Sequence, residues 1–198
     1  MPGGIVLIVE NDPSRVEADL AAGRVRCPVC GGTLARWSFA RRRRLRGETG
    51  LIALRPRRGR CRSCRKTQVL LPDVALGRRV DAVTVIGRAL VAAAAGAGHR
   101  KVAAWVDRPP STVRGWLRRF VTATARVAAH FGAWAHALDP NLGAVRPAGS
   151  PVADALEAVG VAARAASLRL GSRPAWSWVS VLSAGSLLAN TNTPWPAP

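Results

Sequence analysis

Four cysteines in two C-x-x-C pairs constrain this chain more than any other feature of its sequence. They are Cys27 and Cys30 in CPVC, and Cys61 and Cys64 in CRSC; the chain has no other cysteine. Two such pairs supply four thiolates, the complete ligand set of a tetrahedral structural zinc site. Two disulfides are the alternative, which a reducing compartment disfavours. We therefore expect one structural Zn2+ ion, with no open coordination position for catalysis.

The residues around the cysteines, 24–72, are predicted to form a small β zinc ribbon. Trp37–Ala40 and Leu51–Leu54 are expected to be strands of a hairpin with a long arm, at whose base both cysteine pairs meet. The ribbon is strongly basic, because residues 24–66 hold fifteen Lys and Arg against a single acid, Glu48. Cations at strand spacing can contact successive phosphates. Four consecutive ones are our candidates for DNA contact: Arg41, Arg42, Arg43 and Arg44.

The net charge of the chain indicates a polyanionic partner. Its 30 Lys and Arg exceed its 11 Asp and Glu to give a formal charge of +19. Such an excess favours nucleic acid over anionic membrane, and most of it lies between residues 24 and 120. The opening residues lack a basic, apolar leader pattern, and the most apolar late stretch, Ala175–Ala189, is short for a bilayer span. We expect a cytoplasmic, nucleoid-associated protein that binds no membrane.

Residues 73–138 are predicted to form a helix-turn-helix domain. A first helix, capped by Asp81, has apolar residues every three or four positions and ends at Gly96 and Gly98. A short second helix follows, and Asp107-Arg108-Pro109-Pro110 makes the turn because consecutive prolines prevent a helix from continuing.

The third helix of this domain has the pattern of a recognition helix. Ser111 is predicted as its N-cap, and its apolar stripe, Val113-Trp116-Leu117-Phe120, packs on the preceding helix. Of the polar face, we expect Arg114 to read guanine, Ser111 and Thr112 to contact phosphate or base, and Arg118 and Arg119 to hold the DNA backbone. Two cations of the second helix complete the candidate DNA-binding set: Arg100 and Lys101.

The remaining segments flank these two units. Residues 1–23 are expected to form a strand, Ile5–Val9, and a helix capped by Asp12. Residues 139–151 are predicted as a linker, and residues 152–198 as a C-terminal helix, to Leu170, with a Pro-rich tail. The fold class is therefore mainly α with a small β zinc ribbon, followed by a helix-turn-helix three-helix unit and a C-terminal helical segment.

Short motifs along nearly the whole chain carry a resemblance to a known family: CPVCGG, RCRSC, TQVLLPD, RRVDAVTVIGRAL, GAGHRKVAAWV, STVRGWLRRF, AHALDP, PAGSP and LLANTNTP. With these motifs the chain resembles bacterial zinc-ribbon and helix-turn-helix proteins that are related to the DNA-binding N-terminal part of insertion-sequence transposases. The resemblance implies that fold and DNA binding, and it implies no particular activity.

The acids of the chain do not form the pattern of an active site. Transposase chemistry needs three carboxylates that hold two metal ions, and the acids beyond residue 120 are only Asp139, Asp154 and Glu157, placed near helix ends. We expect no enzyme.

Two functions from different classes remain open. The first is a sequence-specific DNA-binding protein, either a transcriptional regulator or a transposon-related protein, that binds double-stranded DNA. It could form a homodimer or work with a separate transposase or the transcription machinery. The second is a zinc-ribbon module that binds RNA or another protein without sequence-specific DNA readout.

Overall fold

The structure is a computed structural model that describes residues 6–189 together with Trp195 and Pro198. The described strands are β1 (Val6–Val9), β2 (Leu34–Phe39), β3 (Arg43–Arg46), β4 (Leu51–Leu54), β5 (Arg57–Cys61) and β6 (Thr67–Pro72). The described helices are α1 (Pro13–Ala21), α2 (Val83–Ala94), α3 (His99–Trp105), α4 (Pro110–Val121), α5 (Thr124–Leu138), α6 (Pro151–Leu170) and α7 (Ala175–Leu182). The protein is thus mainly helical with a small amount of sheet.

The strands form two separate sheets. The larger has the order β1-β6-β5-β2, in which β1 runs parallel to β6 and the other pairs are antiparallel. The smaller is the antiparallel hairpin of β3 and β4. The expected hairpin of β2 with β4 is therefore wrong. The pairing differs because Leu34 lies opposite Cys61 in the ladder of β2 and β5, which places the two cysteine pairs side by side.

The two faces of the larger sheet are covered by different elements. Val16 and Leu20 of α1 pack with Leu70 of β6 on one face. Leu45 of β3 packs with Leu71 on the other face, since neighbouring residues of a strand point in opposite directions. The first helix is predicted correctly, and the Asp12 carboxylate caps it by accepting from the Ser14 N–H at 2.9 Å. Strand β1, however, belongs to the same sheet as β5, the strand that ends at Cys61.

Helices α2 to α7 surround a single larger core. The predicted apolar stripes of α2 and α4 are buried in it, including Ile86 and Trp116. Helix α7 packs against α2 at Gly87, where an added Cβ would lie 2.0 Å from the Trp176 ring. Only a glycine therefore allows this close approach. Helix α2 ends just before Gly96, whose φ of +92° favours glycine, as expected.

Two predicted helix caps are wrong. The N-cap of α2 is Ala82, and Asp81 lies before it as a buried carboxylate that holds two arginines. The N-cap of α4 is Pro109, with Pro110 in the first helical position, so that Ser111 lies inside the first turn. Proline is favoured there because the first N–H groups of a helix have no partner within it.

The predicted C-terminal helix is present as α6, but the residues after Leu170 also form helix α7, which is packed in the main core and is not predicted. Ser150 caps α6 by accepting from the Ala153 N–H, and residues 141–150 form neither helix nor strand. The predicted start of the first strand, Ile5, and most of the Pro-rich tail lie outside the described residues. None of the described helices combines the length and apolar character needed to cross a bilayer.

Candidate metal centre and nucleic-acid interface

The structure brings all four cysteine side chains together at one end of the larger sheet. Their Sγ atoms all lie within 4.8 Å of one another. The Cys27 and Cys64 sulfurs are 3.7 Å apart, and the Cys30 and Cys61 sulfurs are 3.5 Å apart. These distances are well beyond a disulfide bond of about 2.05 Å, so no two of the four cysteines are joined by a disulfide. The cluster could hold a metal ion.

The two C-x-x-C loops have the same backbone shape. The Gly31 N–H donates to the Cys27 carbonyl at 2.9 Å, and the Arg65 N–H donates to the Cys61 carbonyl at 3.2 Å. Both donors lie in the left-handed region, with φ of +70° at Gly31 and +62° at Arg65. At Arg65 this conformation costs about 1 kcal/mol. The repeated turn directs both sulfurs of each pair toward the same point.

The backbone of these loops stabilises thiolates. The N–H groups of Cys64 and Ser63 donate to the Cys61 sulfur and lower the pKa of that thiol to about 6, against the opposing effect of burial. Burial also opposes ionisation of Cys27, but the N–H groups of Val29 and Cys30 lower its pKa below the ordinary value. Thiolates are the form of cysteine that binds metal ions. At Cys64 the Lys66 N–H also favours the thiolate, but burial and the other three cysteine side chains outweigh it and raise the pKa of that thiol to about 11.

Helix α4 presents a polar face beside its buried stripe. Ser111, Arg114 and Arg118 are exposed, while Val113 and Trp116 are buried against the neighbouring helices. This is the division that the sequence predicts.

The other candidate DNA contacts of the helical unit lie on α4 itself and on the preceding helix, α3. Thr112 and Arg119 are half-buried, and Arg119 donates from Nη1 to the Gly115 carbonyl at 3.1 Å. Arg100 and Lys101 are exposed on α3, which packs against α4. The Lys101 ammonium lies 5.0 Å from the centroid of the exposed Trp105 ring.

A buried carboxylate ties the turn between α3 and α4 to the β3–β4 hairpin. Asp81 accepts from Arg108 Nε at 2.6 Å and from Arg46 Nη2 at 2.8 Å. Arg108 also donates from Nη2 to the Gly47 carbonyl, in the bend of the hairpin, at 2.7 Å. The Arg108 and Asp81 side chains are almost completely buried. The hairpin is thus held against the helical unit by directional, charge-assisted hydrogen bonds.

This attachment changes the expected position of the arginine run. Arg43 and Arg44 belong to the hairpin and not to the four-stranded sheet, and Arg41 and Arg42 lead into it. All four are exposed. The four arginines therefore lie on or next to the hairpin that contacts the α3–α4 turn.

Several carboxylates of the described chain form ion pairs with arginines that are not candidate DNA contacts. Glu17 of α1 pairs with Arg36 and Arg57, at 2.9 and 2.7 Å. Asp73 pairs with Arg173 at 3.0 Å. Among residues 6–189, the ion pairs involve none of the exposed candidate DNA contacts: Arg41, Arg42, Arg43, Arg44, Arg100, Lys101, Arg114 and Arg118.

Two features of this surface are not predicted from the sequence. Asp81 has the position of a helix cap, and only its partners in the folded chain reveal its contact with Arg108. Trp37 and Phe39 have the alternating pattern of a strand, which does not show that both are exposed. Their side chains are 55% and 44% exposed, each beneath an arginine guanidinium.

Two of the three late acids bind backbone N–H groups at helix ends, whereas Glu157 lies beyond the first turn of α6. Asp139 follows α5 and accepts from the Asn141 N–H at 3.1 Å. Asp154 lies in the first turn of α6 and accepts from the Ala148 N–H at 2.6 Å. Glu157 is exposed on α6. Within the described part of the chain, the four cysteines are the only group of three or more Cys, His, Asp or Glu placed to share a metal ion.

Comparisons with protein-family models, curated proteins and solved structures found no match to this chain.

Proposed function

We propose that this protein binds double-stranded DNA in a sequence-specific manner, through a helix-turn-helix formed by α2, α3 and α4. The observation that carries the proposal is the exposed face of α4, whose arginines Arg114 and Arg118 form no ion pair with the acids of the described chain. Such cations retain their charge for phosphates and their donors for base edges.

Helix α4 has the dimensions and support of a recognition helix. Its 12 residues span about 18 Å, and a major groove about 12 Å wide admits an α-helix. Trp116 and Phe120 fix the opposite side of the helix in the core. Because Ser111, Thr112 and Arg114 lie in its first two turns, they are the side chains that would reach base edges. Arg118, one turn later, would contact the DNA backbone.

The β3–β4 hairpin would supply phosphate contacts beside this helix. Arg108 connects the α3–α4 turn to the Gly47 carbonyl of the hairpin, which fixes Arg43 and Arg44 on the same rigid unit as α4. A rigid pair of contacts costs less conformational entropy on binding than two independent ones. In this proposal the hairpin gives salt-sensitive affinity, and α4 gives sequence specificity.

We further propose that the four cysteines hold one Zn2+ ion with a structural role. Zn–S bonds of about 2.3 Å in a tetrahedron place the sulfurs about 3.8 Å apart. The separations of 3.7 Å for Cys27 and Cys64 and of 3.5 Å for Cys30 and Cys61 are close to that value, and all four sulfurs lie within 4.8 Å of one another. Four soft thiolates favour zinc over harder divalent ions such as Mg2+. The ion would join the loop that precedes β2 to the loop that follows β5.

We propose a binding protein and not an enzyme, because Asp139 and Asp154 have structural partners at helix ends. The experiment that tests the proposal is selection from a random duplex library with the zinc-loaded full chain. Enrichment of one defined sequence supports it. Binding that enriches no sequence, at a salt concentration where non-specific binding is weak, contradicts it and favours the RNA-binding or protein-interaction alternative.

A further inference from the structure

We propose that Trp37 and Arg60 form a stacking site for an unpaired base of single-stranded nucleic acid. This site lies on the four-stranded sheet, outside the helix-turn-helix, and it goes beyond duplex recognition. It depends on neither α4 nor a defined target sequence.

Trp37 lies on an edge strand at a bulge. Strand β2 is the last strand of its sheet. The ladder with β5 passes from the pair Arg36–Gly59 to the pair Ser38–Arg58, so that Trp37 is the extra residue. A bulge commonly redirects a side chain at a sheet edge. The Trp37 side chain remains 55% exposed, although indole is among the largest apolar groups a protein can bury.

Arg60 is positioned over the Trp37 ring by the second cysteine loop. Its Cζ lies 4.6 Å from the ring centroid, and its Nε donates to the Arg65 carbonyl at 3.3 Å. Arg65 belongs to the turn that carries Cys61 and Cys64. The stacked pair is therefore attached to the candidate metal centre, which makes its geometry less dependent on a flexible side chain.

A second aromatic residue extends the same strand. Phe39 is 44% exposed, and the Cζ atoms of Arg55 and Arg57 lie 4.2 and 4.4 Å from its ring centroid. Arg57 is paired with Glu17, so the exposed Arg55 is the one of the two that would meet a phosphate. Two residues later the chain enters the exposed run that begins at Arg41. Aromatic rings interleaved with guanidinium groups are the surface that single strands use, because each base offers a π-face and each phosphate a charge.

The chemistry distinguishes a single strand from a duplex. In a duplex both faces of each base are already stacked, so a base that occupied Trp37 would first have to leave the helix at a cost of a few kcal/mol. An unpaired base has a free face at no such cost. A stacking contact of this kind tolerates different sequences. The ligand is therefore a single-stranded segment of broad sequence.

The test compares two single strands of equal length and charge, one that carries bases and one that does not. A fluorescent thymidine oligomer of about ten nucleotides and an abasic strand of the same length and charge are titrated with the full zinc-loaded chain. We expect the thymidine strand to bind more tightly, and Trp37→Leu to weaken its binding by roughly 5- to 100-fold with little effect on the abasic strand. Trp37→Phe should retain most of the preference because it keeps an aromatic face.

The matched control is Trp105→Leu. Trp105 is 54% exposed and has the Lys101 ammonium over its ring, but it lies on α3. The proposal predicts that this variant keeps the preference for the thymidine strand. Equal binding of both strands by the unaltered chain, retention of the preference in Trp37→Leu, or an equal loss in Trp105→Leu would each overturn the stacking site.

The two proposals can fail separately. Duplex selection with Trp37→Leu reports on α4, and single-strand titration with Arg114→Ala reports on Trp37. If only the stacking site exists, the chain prefers the thymidine strand and the selection enriches no duplex. If only the duplex readout exists, one duplex is enriched and the two single strands bind equally.

Discussion

Arg108 and Asp81, which are 27 residues apart, form a buried ion pair with an Nε–Oδ1 distance of 2.6 Å. The pair joins the turn before α4 to the start of α2. Through the Gly47 carbonyl it also reaches the hairpin that carries Arg43 and Arg44. The two elements proposed to contact DNA are therefore fixed to one another by this buried pair, together with backbone hydrogen bonds between Arg46 and residues Val80 and Ala82.

Asp81→Ala should destabilise the protein by about 3–5 kcal/mol, because it leaves the buried Arg108 guanidinium without its counter-charge. Urea unfolding measures this change. The control is Asp19→Ala, whose pair with Arg24 is exposed on both sides and should contribute at most about 1 kcal/mol. Equal effects of the two substitutions would show that the buried pair has no special role.

A pair of glycine substitutions tests the packing of α7 on α2. Gly87→Ala should destabilise the fold by roughly 1–3 kcal/mol, since its Cβ would lie 2.0 Å from the Trp176 ring. Gly160→Ala on α6 meets nothing within 4 Å and should stabilise the protein by about 0.5–1 kcal/mol. Thermal unfolding of both variants gives the signs. A stable Gly87→Ala variant would contradict the described contact.

Removal of the metal should unfold the sheet that carries the cysteines. Native mass spectrometry should find one Zn2+ per chain, and a strong chelator should release it and expose four reactive thiols. Cys61→Ala should abolish tight binding, whereas Ser63→Ala, an exposed position in the same loop, should retain it. A folded chain of metal-free mass with four free thiols would refute the zinc site.

The hairpin arginines should affect affinity without changing sequence preference. Arg43→Ala and Arg44→Ala should each weaken binding to all duplexes and reduce the dependence of affinity on salt by about one phosphate contact. Arg164→Ala removes the same charge from the exposed surface of α6 and should leave the salt slope unchanged. Titrations at several salt concentrations measure these slopes. A change of base preference in Arg44→Ala would argue against a phosphate contact.

Local patterns of the sequence predict much of this fold. The helical stripe that includes Val113 and Trp116 needs only the spacing of apolar residues, and it is buried as predicted. The four cysteines are similarly informative, since few arrangements of two C-x-x-C pairs are chemically useful.

Long-range pairing could not be predicted in the same way. The partner of β2 depends on which strand lies beside it after folding, and the ladder with β5 joins residues that are 18 to 27 positions apart. Asp81 has the sequence position of a helix cap, but burial beside Arg108 gives it a different role. The exposure of Trp37 depends on a bulge, for which the alternation of residues gives no signal.

The most direct test of sequence-specific binding by α4 concerns one side chain and one base pair. The affinities of the unaltered chain and of Arg114→Ala are measured for the selected duplex and for its single-base variants, with Arg164→Ala as the control. We predict that Arg114→Ala loses about 1–3 kcal/mol on the selected duplex and no longer distinguishes the bases at one position. If Arg114→Ala discriminates at every position as the unaltered chain does, α4 does not read DNA as proposed.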